Sequence, residues 1–164
     1  MEVTEAVLER LSAELGAALQ GQGWLLATAE SCTGGWLAQT VTAIAGSSAW
    51  FDRGFVTYSN AAKQAMLAVQ PATLAQCGAV SEETAREMAQ GALIHSDAQL
   101  ALSITGIAGP GGGSPEKPVG TVCFAWVIRG QAVESTQQAF TGDRKQIRAA
   151  SVAFALKQLR SLVP

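Results

Sequence analysis

The sequence predicts a three-layer α/β/α fold built on a mixed sheet, and three observations carry that expectation. Apolar stripes at helical spacing alternate with short apolar runs of strand length along most of the chain. Glycine, proline and hydroxyl residues punctuate them. Late in the chain two extended runs flank Arg129-Gly130-Gln131 and read as a β-hairpin. Alternation calls for parallel strands covered by helices on both faces, and the hairpin adds an antiparallel pair.

Residues 3–19 carry Val7, Leu8, Leu11, Leu15 and Leu19 on one helical face. Gly21-Gln22-Gly23 stops that helix and launches a strand over 24–28. Trp36, Leu37, Thr40 and Val41 resume the helical period until Ala45-Gly46-Ser47-Ser48 breaks it. Residues 51–58 read as a strand with Phe55 and Val56 in its middle, and Asn60 as the N-cap of a short helix through Leu67. Pro71 to Leu74 reads as a helical turn. Ser81-Glu82-Glu83 supplies a capping hydroxyl and two acids for the next helix, with Ala85, Met88, Ala89, Ala92 and Leu93 on one face. Residues 100–104 form an apolar strand that runs into a glycine- and proline-rich loop, 105–115. Thr121–Ile128 and Ala132–Phe140 are the arms of the hairpin, and Asp143 caps a last helix bearing Ile147, Ala150, Phe154, Leu156 and Leu159. The expected order is α-β-α-β-α-α-β-β-β-α.

A chain of 164 residues with no linker-like stretch and no internal repeat suits one domain over 1–164. With 48% hydrophobic and 15% charged residues it has the composition of a packed protein, not a disordered one. No apolar run approaches the roughly 18–20 residues that span a bilayer, so no membrane partner is expected. The opening Met-Glu-Val-Thr-Glu has neither the basic nor the apolar region of a secretory signal. A net charge of −2 without a Lys/Arg cluster weighs against nucleic acid. Cys32, Cys77 and Cys123 match no metal-ligand spacing and no disulfide framework, which points to a reducing cytoplasm.

The segment Ala29-Glu30-Ser31-Cys32-Thr33-Gly34-Gly35 lies where a strand turns into a helix. Free N–H groups at a helix start carry partial positive charge and suit an oxyanion or phosphate. Ser31 and Cys32 are therefore candidate nucleophiles; the plainer reading is a turn capped by Ser31 or Thr33. Ser31, Tyr58 and Thr105 stand just beyond three predicted strands, where ligands of open α/β sheets gather.

The single histidine, His95, precedes Ser96-Asp97 late in a helix and reads as a helix-end residue, so no histidine-based triad is available. Lys63 can serve as base if burial and the helix dipole lower its pKa, with Tyr58 to relay or orient the proton. The alternative is a surface lysine beside a half-buried tyrosine. Cys32 would need a cation nearby to act. Glu30 is available to Lys63 or to a substrate hydroxyl, or is simply solvated. The loop from Gly106 to Gly113 lacks the ending of a phosphate-binding P-loop and precedes a strand. It either brings backbone close to a ligand or is a long connection. Arg144 and Arg148 open the last helix and are candidate clamps for phosphate or carboxylate.

Six ordered motifs add a resemblance. They are Ala-Glu-Ser-Cys-Thr-Gly-Gly (29–35), Ala-Gly-Ser-Ser-Ala-Trp-Phe (45–51), Gly-Phe-Val-Thr-Tyr-Ser-Asn (54–60), Gly-Ala-Val-Ser (78–81), Thr-Gly-Ile-Ala-Gly-Pro-Gly-Gly-Gly (105–113) and Lys-Pro-Val-Gly-Thr-Val (117–122). Together they resemble the CinA C-terminal domain family over nearly the whole length. The resemblance implies hydrolysis of the carboxamide of nicotinamide mononucleotide to nicotinic acid mononucleotide and ammonia, a salvage step toward NAD. It implies a serine amidase with no metal or other cofactor, in which Ser31, Lys63 and Tyr58 are catalytic. Backbone N–H groups of Cys32, Thr33 and Gly34 would hold the oxyanion, and Glu30, Thr105, Gly106, Gly109 and Arg144 would meet the substrate. A homodimer in the cytoplasm is the expected form. A nucleotide-binding module without turnover, and a Ser/Lys hydrolase acting on another amide, are the alternatives.

Overall fold

Thr4 leaves extended backbone and accepts the Val7 N–H on its hydroxyl, starting helix α1 (Glu5–Gln22), which stops at Gly23 in the left-handed region, φ 67°. The computed structural model describes residues 2–164. After α1 come β1 (Leu26–Glu30), α2 (Trp36–Thr42), a 3-10 turn at Ser47–Ala49, β2 (Phe51–Val56), α3 (Asn60–Leu67), α4 (Pro71–Cys77) and α5 (Glu82–Ile94). Then follow β3 (Leu100–Gly106), β4 (Thr121–Ile128), β5 (Glu134–Ala139) and α6 (Arg144–Leu162). The five strands make one mixed sheet ordered β2-β1-β3-β4-β5. The first three are parallel and the hairpin β4–β5 is antiparallel, as the alternation of elements requires.

The two faces of the sheet are built from different side chains. Leu26, Leu100, Leu102, Ile104 and Phe124 point to one face, where Leu8, Leu15 and Leu19 of α1, Leu37 of α2 and Ile147 and Leu156 of α6 cover them. Ala27, Ala29, Ala101 and Ala125 point to the other, against Ala85, Met88, Ala89 and Ala92 of α5. Period-2 alternation thus sorts large from small. The small side chains let α5 lie close enough for the Ser103 hydroxyl to donate to the Ala85 carbonyl at 2.6 Å. Each large apolar side chain fully removed from water contributes about 1.5–3 kcal/mol, so the leucine-rich face carries most of that stabilisation.

Several boundaries differ from expectation. A full helix, α4, replaces the expected turn at 71–74, so three helices separate β2 from β3; Pro71 starts it and nothing stops it before Gly78. Strand β1 begins two residues later than expected, because Trp24 N–H closes the end of α1 on the Leu19 carbonyl and Leu25 N–H bonds the Gln99 side chain. Ser59, not Asn60, caps α3, accepting from Ala62 N–H. The last strand is confined to 134–139.

Because β1, β2 and β3 are parallel, their C-terminal ends share one edge of the sheet. Their ladder continues past the strands: Ser31 N–H bonds the Ile104 carbonyl at 2.9 Å and Thr57 N–H bonds the Glu30 carbonyl at 2.8 Å. The three segments that leave these strands are thereby held side by side.

Candidate active site at the ends of the parallel strands

The chain leaves β1 at Glu30 and must turn sharply to enter α2. Gly34 and Gly35 do this with φ of 59° and 101°, a left-handed pair that side-chain-bearing residues rarely adopt. Gly34 N–H closes the turn on the Ser31 carbonyl at 3.0 Å. Ser31 stands at its start, nearly buried, with its hydroxyl facing α3.

Lys63 meets it there. The side chain is 1% exposed, and its Nζ lies 3.0 Å from Ser31 Oγ, 2.9 Å from the Thr57 carbonyl and 3.3 Å from the Tyr58 carbonyl. No carboxylate within ion-pair distance accompanies it among the described residues. Burial drives its pKa below the ordinary lysine value; the adjacent Cys32 works weakly in the opposite sense. A neutral amine has two N–H groups and one lone pair. The two carbonyls fit the first and the Ser31 hydroxyl fits the second, which is the arrangement of a nucleophile with its base.

Cys32 is buried beside Ser31, and burial pushes its thiol up to about 11, so it is protonated at neutral pH. The amine points to the serine oxygen instead. The N–H groups of Cys32 and Thr33 bond no carbonyl or side-chain oxygen among the described residues. Gly34 N–H differs from the sequence expectation, being committed to the Ser31 carbonyl.

Glu30 is turned away from both Lys63 and the cleft. Its carboxylate, 1% exposed, accepts from the Thr33 hydroxyl and Leu37 N–H on one oxygen and from Ala38 N–H on the other, at 2.7, 2.8 and 3.1 Å. It caps α2 from beneath, since Gly35 at the N-cap has no side chain for the task. A substrate contact is therefore replaced by a structural one.

Tyr58 also departs from expectation. Only its carbonyl reaches Lys63; the ring is 64% exposed and its hydroxyl lies 3.4 Å from Arg144 Nη2. The phenol stands at the mouth of the cleft and not in a relay to Ser31. Arg144 also donates to the Gly109 carbonyl at 2.7 Å, tying the start of α6 to the glycine loop. Thr105 donates to the Ala79 carbonyl at 2.8 Å.

These groups enclose a cleft of about 280 Å³ lined by Ser31, Cys32, Tyr58, Lys63, Thr105, Gly106, Gly109 and Arg144, with Ala79 and Val80 as a further wall. Thr33 and Gly34 do not line it. A larger groove of about 900 Å³ between the starts of α1 and α6 and the side of α2 contains neither Ser31 nor Lys63. Size therefore does not decide; the serine and the buried amine do. No three His, Cys, Asp or Glu side chains gather as metal ligands among the described residues.

Arg148, expected with Arg144 as a clamp for phosphate or carboxylate, holds backbone instead. Its Nε and Nη2 donate to the Cys32 and Thr33 carbonyls at 3.1 and 3.0 Å, and its guanidinium lies over the Trp36 ring, 5.2 Å from the centroid. Its place one turn beyond Arg144 was visible, but which carbonyls it would find was not.

Known proteins match this chain in sequence and in fold. The family described as CinA C-terminal domain matches residues 8–163. Nicotinamide-nucleotide amidohydrolase PncC of Enterobacter agglomerans is 54% identical over 155 residues, covering 94% of each chain. The Escherichia coli protein of the same name is 54% identical over 158 residues, 96% of this chain and 95% of its own. The crystal structure of competence/damage inducible protein CihA from Agrobacterium tumefaciens superposes with a TM-score of 0.93 at 48% identity, covering 95% of both chains.

Proposed function

The chain belongs to the CinA C-terminal domain family, and from that premise we propose that it hydrolyses the carboxamide of nicotinamide mononucleotide, giving nicotinic acid mononucleotide and ammonia. Relatives that match it over nearly their whole length carry the name nicotinamide-nucleotide amidohydrolase, so the chain is read as an amidohydrolase of this type serving pyridine nucleotide salvage. One observation carries the mechanism: a buried lysine amine 3.0 Å from Ser31 Oγ with no carboxylate to keep it charged.

Neutral Lys63 accepts the Ser31 proton as Oγ bonds to the amide carbon. The oxyanion is held by the Cys32 N–H, which lines the cleft beside Ser31 and bonds no carbonyl. The proton passes from Lys63 to the amide nitrogen, the C–N bond breaks and ammonia leaves. Water then adds to the acyl carbon, giving its proton to Lys63. Lys63 returns it to Ser31 Oγ as the ester bond breaks. Thr105, Gly106 and Gly109 shape the wall of the cleft, and Arg144 with Tyr58 at the mouth meets the anionic end of the substrate.

We read residues 1–164 as one amidase domain acting as a homodimer in the cytoplasm on a small molecule. A net charge of −2 and the lack of any helix, among the described residues, long and apolar enough to cross a membrane support that reading over nucleic acid or a bilayer. Ammonia release from the mononucleotide, with product identification, tests the assignment in the wild type and in Ser31→Ala, Cys32→Ala and Lys63→Ala. Activity should survive only the cysteine change. Full activity in Ser31→Ala removes the serine from the mechanism, and tight binding without ammonia from the wild type makes the protein a binding module.

A further inference from the structure

We propose that Arg148 is a positioning residue for the reaction, a clamp that fixes the backbone of the nucleophile turn from the side opposite its free N–H groups. The inference rests on the amidase reading of the Ser31 turn. Its basis is peptide geometry. In a trans peptide the N–H points opposite to the C=O of the same unit. Arg148 Nε holds the Cys32 carbonyl at 3.1 Å, so the Thr33 N–H of that unit is directed away from Arg148. Arg148 Nη2 holds the Thr33 carbonyl at 3.0 Å, so the Gly34 N–H is likewise directed away, and it closes on the Ser31 carbonyl.

One planar fork thereby holds two successive peptide units; the second is also held by Trp36 N–H on the Thr33 carbonyl at 3.0 Å, whereas the first has Arg148 alone. The third, between Ser31 and Cys32, is set by the bond from Gly34 and presents the Cys32 N–H beside the nucleophile. Without the fork the unit between Cys32 and Thr33 has no hydrogen bond to stop it rotating. Rotation there moves Cys32 and turns its N–H, the donor that lines the cleft, away from the oxyanion's place.

Two further contacts set Arg148 itself. Trp36, the first residue of α2, lies under its guanidinium at 5.2 Å. Beneath the turn, Glu30 holds the Thr33 hydroxyl and the Leu37 and Ala38 N–H groups. The turn is gripped by an anion taking its donors and a cation taking its carbonyls. Arg148 does not line the cleft, unlike Arg144 one turn earlier, which does. The two arginines in the first turns of this helix have separate tasks: Arg144 faces the cleft and Arg148 faces backbone.

The test compares wild type with Arg148→Gln, Arg148→Lys and Trp36→Leu by two readouts. One is kcat and KM for ammonia release; the other is the rate at which a fluorophosphonate labels Ser31, located by peptide mass. The second needs the same donor on phosphorus and no natural substrate. Losing an oxyanion donor costs about 10²–10³ in rate. Arg148→Gln should therefore lower kcat and labelling by roughly that factor with KM nearly unchanged. Arg148→Lys, a point donor reaching one carbonyl, should recover part of the loss. Trp36→Leu should give a smaller fall in the same two quantities, and it carries the test should Arg148→Gln not fold. Rates are taken per labelled site, which a loss of folded protein does not change. Wild-type kcat and labelling in Arg148→Gln, or a raised KM with kcat intact, overturns the clamp. A wild type that neither labels at Ser31 nor releases ammonia overturns the amidase reading and the clamp with it.

Discussion

The inner wall and the rim of the cleft are built differently. The inner wall holds Ser31 and Lys63, nearly or fully buried, with Glu30 and Arg148 bracing the turn behind them through five bonds of 2.7–3.1 Å. On the rim, Tyr58 and the glycines at 111 and 112 are exposed, and the phenol is held by one contact of 3.4 Å. Proton transfer and bond making tolerate little misplacement, whereas a mouth must admit and release ligand. The contrast separates residues that set the rate from residues that set binding.

Substitution on either side should break along that line. Ser31→Ala carries the largest expected effect: turnover falls by about 10³-fold or more, since the covalent step is lost. Equal binding of the mononucleotide by calorimetry would show that the rim is untouched.

Lys63→Met comes next, with a loss of about 10²–10⁴ in kcat as expected for removing a general base. Its pH signature is more specific. Because the folded-state pKa of Lys63 lies below the ordinary one, kcat/KM should climb with pH to that lowered value and then level off. Stability follows the same shift. Between the lowered pKa and the ordinary one the unfolded chain binds the proton that the folded chain has lost. Wild-type unfolding free energy should therefore rise with pH across that window, and urea titrations of Lys63→Met should show a flatter dependence.

Glu30→Ala removes the acceptor for three donors under α2. Unpaired buried donors cost about 1–3 kcal/mol, so the urea midpoint should fall and kcat with it, a stability effect that rim changes should not show. Arg144→Ala should instead raise KM by about 10- to 100-fold while kcat holds within about threefold, as befits a charged hydrogen bond worth roughly 1.5–3 kcal/mol. Tyr58→Phe is the smallest change, within about threefold in both constants, because the bond it deletes is long and exposed. A loss near that of Lys63→Met would return the phenol to the proton path and erase the distinction between wall and rim.

Much of this was legible in the sequence where chemistry is local. Ser81 and Asp143 cap their helices as read, because capping depends on a hydroxyl or carboxylate three residues before its N–H. The parallel strands and the hairpin followed from periodicity, and that alone brought Ser31, Lys63, Tyr58 and Thr105 to one edge. What was not legible depends on long-range packing. Glu30 sits next to the nucleophile in sequence, yet strand alternation sends its side chain under α2. Tyr58 stands five residues before Lys63, but the chain shows the amine its carbonyl and turns the ring outward. Arg148 reaches back across 116 positions to the Cys32 carbonyl, a contact that no local pattern announces.

The central claim is that Ser31, deprotonated by Lys63, bonds to the carboxamide carbon. Rapid quenching of enzyme and mononucleotide followed by peptide mass analysis tests it most directly. An acyl adduct of nicotinic acid mononucleotide should appear on the peptide bearing Ser31, fragment to that oxygen, and be absent from Ser31→Ala. An adduct on Cys32, or steady ammonia release by Ser31→Ala, would contradict it.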